Sequence, residues 1–125
     1  MVTDSRPATP ENSSVTFINV FEVAAEHVDA FVARWERRAA LMSTKPGFLD
    51  TRLHRARASD SRFQLVNVAH WESQEAWEAA TADPDFRERT RAAREDERLP
   101  VTASPSLYDV AVEFVAEAGG PGRRT

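Results

Sequence analysis

From Val15 to Val23 the chain alternates two apolar sets, with Val15, Phe17, Phe21 and Val23 on one side, interrupted by Asn19, and Ile18 and Val20 on the other. A period of two predicts a strand. The period then lengthens: Val28, Phe31, Val32, Trp35, Ala39 and Met42 recur at helical spacing, while Arg34, Arg37 and Arg38 mostly fall elsewhere on the wheel, so one amphipathic helix covers the core. Lys45-Pro46-Gly47 ends it, because proline disfavours helix in the preceding residue and glycine accepts the turn. A second strand is expected over Phe48 to Arg57, then a polar turn at Ala58 to Ser61, then a third strand over Arg62 to Trp71 with Phe63, Leu65, Asn67, Ala69 and Trp71 sharing a side. Ser73 is a plausible N-cap for a helix carrying Ala76, Trp77 and Ala80. Asp83-Pro84 reads as a second cap and first helical position. It opens a charged helix to about Arg98 whose only large apolar anchor is Phe86, which places that helix at the rim. Leu107 to Val115, after Pro100 and Pro105, is expected to be the last strand.

Strand, helix, strand, strand, helices, strand is the split order of an α+β, ferredoxin-like βαββαβ fold with a four-stranded antiparallel sheet. A faint repeat supports it: Phe17-Ile18-Asn19-Val20 resembles Leu65-Val66-Asn67-Val68, and each is followed by a cap and a helix. In that fold the first and third strands are central neighbours, so both asparagines are expected mid-sheet on one face. Ile18, Val20, Val66 and Val68 make the opposite face apolar as well. Helices on one side cannot hide both faces, and a second copy of the chain is the economical cover, which predicts a homodimer. The domain is expected to span residues 15–116, between Pro/Ser/Thr-rich and Gly-rich tails at 1–14 and 117–125.

Composition then narrows the chemistry. With 125 residues, one domain is available. The net charge of -4 and the interleaving of Arg with Glu and Asp leave no basic face for nucleic acid. The absence of cysteine excludes disulfides, thiolate ligands and a Cys nucleophile. Residues 1–14 lack a basic start and an apolar stretch, so neither a signal peptide nor a membrane anchor is expected, and the cytoplasm is the default location. No glycine-rich phosphate turn, His-Glu-x-x-His helix or serine elbow is present, so large cofactors lack a visible home and none is expected.

The candidate residues that remain are few. Asparagine is depleted in central strands, and an unpartnered buried amide costs about 1–3 kcal/mol, so Asn19 and Asn67 are either satisfied structurally or serve a ligand. Trp71, four residues after Asn67, shares its face in a regular strand and can floor an aromatic site or simply fill the core. His54 is a candidate proton-transfer group because histidine titrates near neutrality. His70 and Glu72 with His54 suggest an iron triad, but the spacing is short and common, and no metal is expected. Trp35 and Trp77 sit on apolar helix faces, and the Arg87 to Arg98 run reads as a solvated helix.

Pro46-Gly47-Phe48-Leu49, His54, Val66 to Ser73 and Ala82-Asp83-Pro84 together resemble the antibiotic biosynthesis monooxygenase family over about Val15 to Val115. The resemblance implies subunits that pair into a dimeric α+β barrel, each keeping a cleft between sheet and helices. One branch, similar to cofactor-free anthrone oxygenases of aromatic polyketide pathways, is matched at His54, Asn67 and Trp71. Trp77 stands where that branch can carry tyrosine, and its helix arginine maps loosely onto Arg91. A second branch degrades haem: Asn19 matches its first-strand asparagine, but its helix tryptophan falls on Ala80 and its iron-ligating histidine on Thr90.

The resemblance and the residues together lead to the expectation of a cofactor-independent monooxygenase that oxidises a phenolic or anthrone-type polycyclic aromatic to a quinone with O2. Asn67, Trp71 and His54 are the expected catalytic residues, and Asn19, Trp77 and Arg91 the substrate-binding ones. A non-oxidative polyketide cyclase or isomerase, or a small-molecule-binding dimer, is the alternative, with haem degradation behind both.

Overall fold

The protein is described here over residues 14–117 of a computed structural model; the two expected tails lie outside the described residues except at Ser14 and Glu117. Four strands and three helices follow in order: β1 (Val15–Val23), a single 3-10 turn (Ala25–His27), α1 (Val28–Met42), β2 (Phe48–Arg55), β3 (Leu65–Trp71), α2 (Gln74–Thr81), α3 (Pro84–Glu95) and β4 (Val101–Tyr108). The sheet is antiparallel throughout with order β2-β3-β1-β4. This is the ferredoxin-like α+β arrangement, its second helix broken in two.

The break is made by caps. Ser73 Oγ accepts the amide of Ala76 at 3.1 Å, and Asp83 Oδ2 accepts that of Phe86 at 3.0 Å, with proline at the first position of α3. Both satisfy amides that a helix start leaves orphaned. The Lys45 ammonium, 2.9 Å from Asp83 Oδ1, ties α3 to the end of α1 and helps hold the Asp83 carboxyl below its usual range. α3 stops at Glu95 rather than Arg98. The reason is Asp96, which leaves helical geometry so that its carboxylate takes the Arg98 amide at 3.0 Å and the Arg34 guanidinium at 3.3 Å.

Helices cover one sheet face only. Phe21, Val28, Phe31, Leu65 and Leu99 form a buried cluster at one end; Val15, Met42, Ala69, Trp71 and Ala80 form another at the other end. Full burial of side chains such as Phe31 and Leu65 stabilises by about 1.5–3 kcal/mol each.

Two strand limits differ from expectation. β3 begins at Leu65 because Gln64, 4% exposed, spends its amide on the carbonyls of Ala58, Ser59 and Ser61 and so holds the preceding loop. β4 is Val101–Tyr108, not Leu107 to Val115. Pro105 sits inside it, opposite Asn19, and is tolerated because β4 is an edge strand where a missing N–H need not break a ladder. Residues 109–117 lie outside any strand, and Val110, Val112, Phe114 and Val115 are exposed, Phe114 at 93%.

The α1–β2 turn is tight. Gly47 has φ +87°, and a Cβ placed there would come within 2.4 Å of Ala76 Cβ on α2, while its carbonyl accepts the Glu72 amide at 2.8 Å. Gly47→Ala therefore combines left-handed strain with overpacking, and should lower stability by about 2–4 kcal/mol in denaturant unfolding; a loss under about 0.5 kcal/mol, the ordinary scale of a surface substitution, would show that α2 does not close on this turn.

Candidate active site

The β1–β3 pairing sets Asn19 directly opposite Asn67, and directly opposed residues share a face. Both point to the helix-covered side, with Phe17 and Phe21 flanking Asn19 on β1 and Ala69 and Trp71 following Asn67 on β3. Over this row lies a cavity of about 270 Å³, lined by the two asparagines, by Trp71, by Trp35 and Arg38 of α1, by Trp77 of α2, and by Phe86 and Thr90 of α3. Its size is just below the range of small-molecule sites, ~300–1,000 Å³.

The walls are aromatic. Phe48 meets Trp71 edge to face at 5.3 Å, and Phe17 lies 5.6 Å from Trp77, tilted by 34°. Trp71 is 2% exposed and belongs to the second core cluster as well. The floor is polar. Asn67 Oδ1 accepts the Thr51 hydroxyl at 2.5 Å, which leaves the Asn67 Nδ2 donor without a protein partner among the described residues. Asn19 Oδ1, Thr90 Oγ1 and Arg38 Nη1 are each shielded from solvent with no hydrogen-bond partner. Burial, and after it the nearby Arg34 charge, pull the Arg38 pKa down to about 10, so the guanidinium is still a cation at neutral pH.

Of the residues expected at the site, Asn19, Asn67, Trp71 and Trp77 come together and two do not. His54 is exposed and lies opposite Val66, on the outer face of the sheet. A bulge is responsible: Phe48 pairs with Trp71 but Asp50 with His70, so Leu49 is an extra residue. The bulge reverses which side each following β2 residue faces, bringing Thr51 and Leu53 inward and turning His54 out. Arg91 is also displaced. It is exposed on α3, where Phe86 and Thr90 are the residues that reach the cavity, and its guanidinium is engaged by Glu88 and by Glu95, the latter at 2.6 Å. His70 lies on the outer face with its Nδ1 2.7 Å from Asp50. Among the described residues no group of three potential metal-binding His, Cys, Asp or Glu side chains comes together.

Arg38 and Thr90 also line the cavity; the sequence had set Arg38 off the apolar face of α1 and offered Thr90 only as the position of the haem branch's missing histidine. For Arg38 a signal existed: Phe31, Trp35, Arg38 and Met42 are spaced by four, three and four, which is one helix face. Thr90 follows Phe86 by four on α3 in the same way.

The sequence pattern of the antibiotic biosynthesis monooxygenase family matches residues 14–92. A mycobilin-producing haem oxygenase of Mycobacterium tuberculosis is 34% identical over 110 residues, covering 87% of this chain and 96% of the relative. Deoxynogalonate monooxygenase of Streptomyces nogalater is 35% identical over 80 residues, 64% of this chain and 65% of the relative. The crystal structure of SnoaB, a cofactor-independent oxygenase from the same organism, superposes with a TM-score of 0.67 at 32% identity, covering 84% of this chain and 99% of that one. The family pattern spans most of the sheet and helices that build the cavity, and the relatives extend the match: this chain belongs to the antibiotic biosynthesis monooxygenase family and is an enzyme of the monooxygenase class.

Proposed function

We propose that the enzyme oxidises a phenolic, anthrone-type polycyclic aromatic to a quinone with O2 and without a cofactor. The observation that carries this reading is the Asn19–Asn67 pair in the floor of an aromatic-walled cavity. Aromatic walls accept a planar ring system; unpartnered amide groups are suited to oxygens on its edge. In the reaction the substrate methylene and O2 become a carbonyl and water, so the substrate itself supplies the electrons that reduce the second oxygen atom. The protein's share is orientation, exclusion of water and stabilisation of negative oxygen. Asn67 Nδ2 donates to the substrate oxyanion or the peroxide formed from it, Asn19 Oδ1 accepts from a ring hydroxyl, and Trp71 and Trp77 hold the rings. His54 has no part, being on the other face of the sheet.

Haem degradation is the second reading, favoured by the near-complete coverage of the mycobacterial relative. The lining residues speak against it. They include no imidazole or thiolate, and the Met42 thioether is a donor that serves haem iron beside a histidine rather than alone.

The outer sheet face completes the proposal. Ile18, Val20, Val66 and Val68 form an apolar stripe there, and the exposed segment with Val110, Val112 and Phe114 extends from β4. A second copy of the chain covers both by symmetry. Sedimentation at micromolar concentration should give a dimer, and Val68→Glu should shift it toward monomer; a wild-type monomer would remove the dimer from the proposal.

Asn67→Ala should lower O2 uptake with an anthrone substrate by about a hundredfold, the scale of one lost oxyanion donor, in a protein that still folds. Trp71→Phe should retain part of the binding. Trp71→Ala should lose it together with about 3–5 kcal/mol of stability, since Trp71 is also core. Product formation from the same substrate under strict anaerobiosis, or activity that falls only with the folded fraction, would replace oxygenation by an isomerase, a cyclase or a plain binding role.

A further inference from the structure

Arg38 is the only ionisable residue among those lining the cavity, and its surroundings do not neutralise it. On its own helix the neighbour is Arg34, one turn earlier, which repels it. On the α3 side it borders a shallow groove with Arg34, Arg37, Arg89, Asp96 and Arg98. Asp96, the one carboxylate there, is already held by Arg34 at 3.3 Å and by Arg98 at 3.0 Å. From the strands and α2 the polar groups facing the cavity are Asn19, Thr51, Asn67 and Thr81, all neutral. Arg38 has no hydrogen bond or ion pair among the described residues. Its one specific contact is with the Phe31 ring, 5.9 Å from the centroid, a distance at which a cation–π attraction is weak. A half-buried cation with one guanidinium nitrogen shielded and no counter-ion, at the wall of a cavity that holds no acid or base, is suited to an anion.

We infer that Arg38 is the counter-ion of a substrate that binds as its phenolate. The phenolic proton is left in bulk water on entry, the guanidinium keeps its own proton, and no side chain in the cavity has to act as a base. Arginine is suited to this role because it stays protonated at the pH of catalysis. The inference rests on the aromatic-substrate reading above and adds to it the charge state of the bound ligand. It also accounts for an oxygenation site that histidine does not enter: the electron-rich anion that O2 must meet is selected by charge.

The test uses 2-hydroxyanthraquinone, whose phenolate absorbs to the red of its phenol, titrated free and bound to the full-length protein. Bound to the wild type, its phenol should ionise about 1–2 pH units lower than in water, within the ~1–3 units that a close opposite charge produces. Arg38→Met should abolish the decrease, and Arg38→Lys should keep part of it. The methyl ether of the probe, which cannot ionise, should bind wild type and Arg38→Met alike, which separates loss of charge from loss of the cavity. Arg38→Met should melt no lower than the wild type, because it removes an unpaired cation from a half-buried position. An unchanged or raised pKa for the probe on the wild type overturns the inference, as does an equal decrease in Arg38→Met or failure of both probes to bind. Dioxygen uptake is read separately. A shift without uptake leaves Arg38 as counter-ion and removes oxygenation; uptake without a shift removes the counter-ion and leaves oxygenation.

Discussion

The register between β1 and β3 is the constraint on which the rest depends. It pairs Phe21 with Leu65 at one end and Val15 with Trp71 at the other, with Asn19 facing Asn67 in between. Each end nucleates an apolar cluster under the helices. The middle cannot join them, because two amides side by side are a poor surface for apolar packing. A slip of one residue in either strand would send that strand's asparagine, with the strand's buried residues, to the other face. The cavity is thus a consequence of where the polar pair sits in an otherwise apolar row.

That arrangement costs stability. Asn19 Oδ1, Thr90 Oγ1 and Arg38 Nη1 are shielded and unpartnered, and each such group costs about 1–3 kcal/mol. The two flanking clusters and the caps at Ser73 and Asp83 offset this. Proteins that depart from full polar satisfaction tend to do so at sites of function, and here three of the five such atoms among the described residues, those of Asn19, Arg38 and Thr90, line one cavity, while His27 Nδ1 and Arg34 Nε lie outside its lining. The groups that line it stand on strands and helices, so their positions are set by the sheet and by helix packing rather than by loops.

The same register also shapes the outer face. Residues between those of the buried row, Ile18, Val20, Val66 and Val68, form a stripe on the far side of the sheet, and β2 adds Arg52 and His54 opposite Val68 and Val66. Site and outer surface are therefore two sides of one alignment.

Much of this was legible in the amino-acid order. Alternation marked β1, three-four spacing marked α1, and Ser73 and Asp83-Pro84 marked the starts of α2 and α3. The repeated asparagine pointed to the middle of the sheet, and Trp71 to the same face. These features are local, and a strand or helix period carries them without reference to the rest of the chain. Three others were decided only by tertiary structure. A bulge at Leu49, which no residue type announces, turned His54 away from the cavity. The edge position of β4 let Pro105 stay in a strand that a proline count would end, which moved that strand from Leu107–Val115 to Val101–Tyr108. Arg38 lay on the apolar spacing of α1 all along, but its charge suggested solvent, and only the packing of α1 over the sheet and beside α3 left it half-buried, its Nη1 shielded and without a partner. Periodicity names the face of an element; what that face meets depends on the elements packed against it.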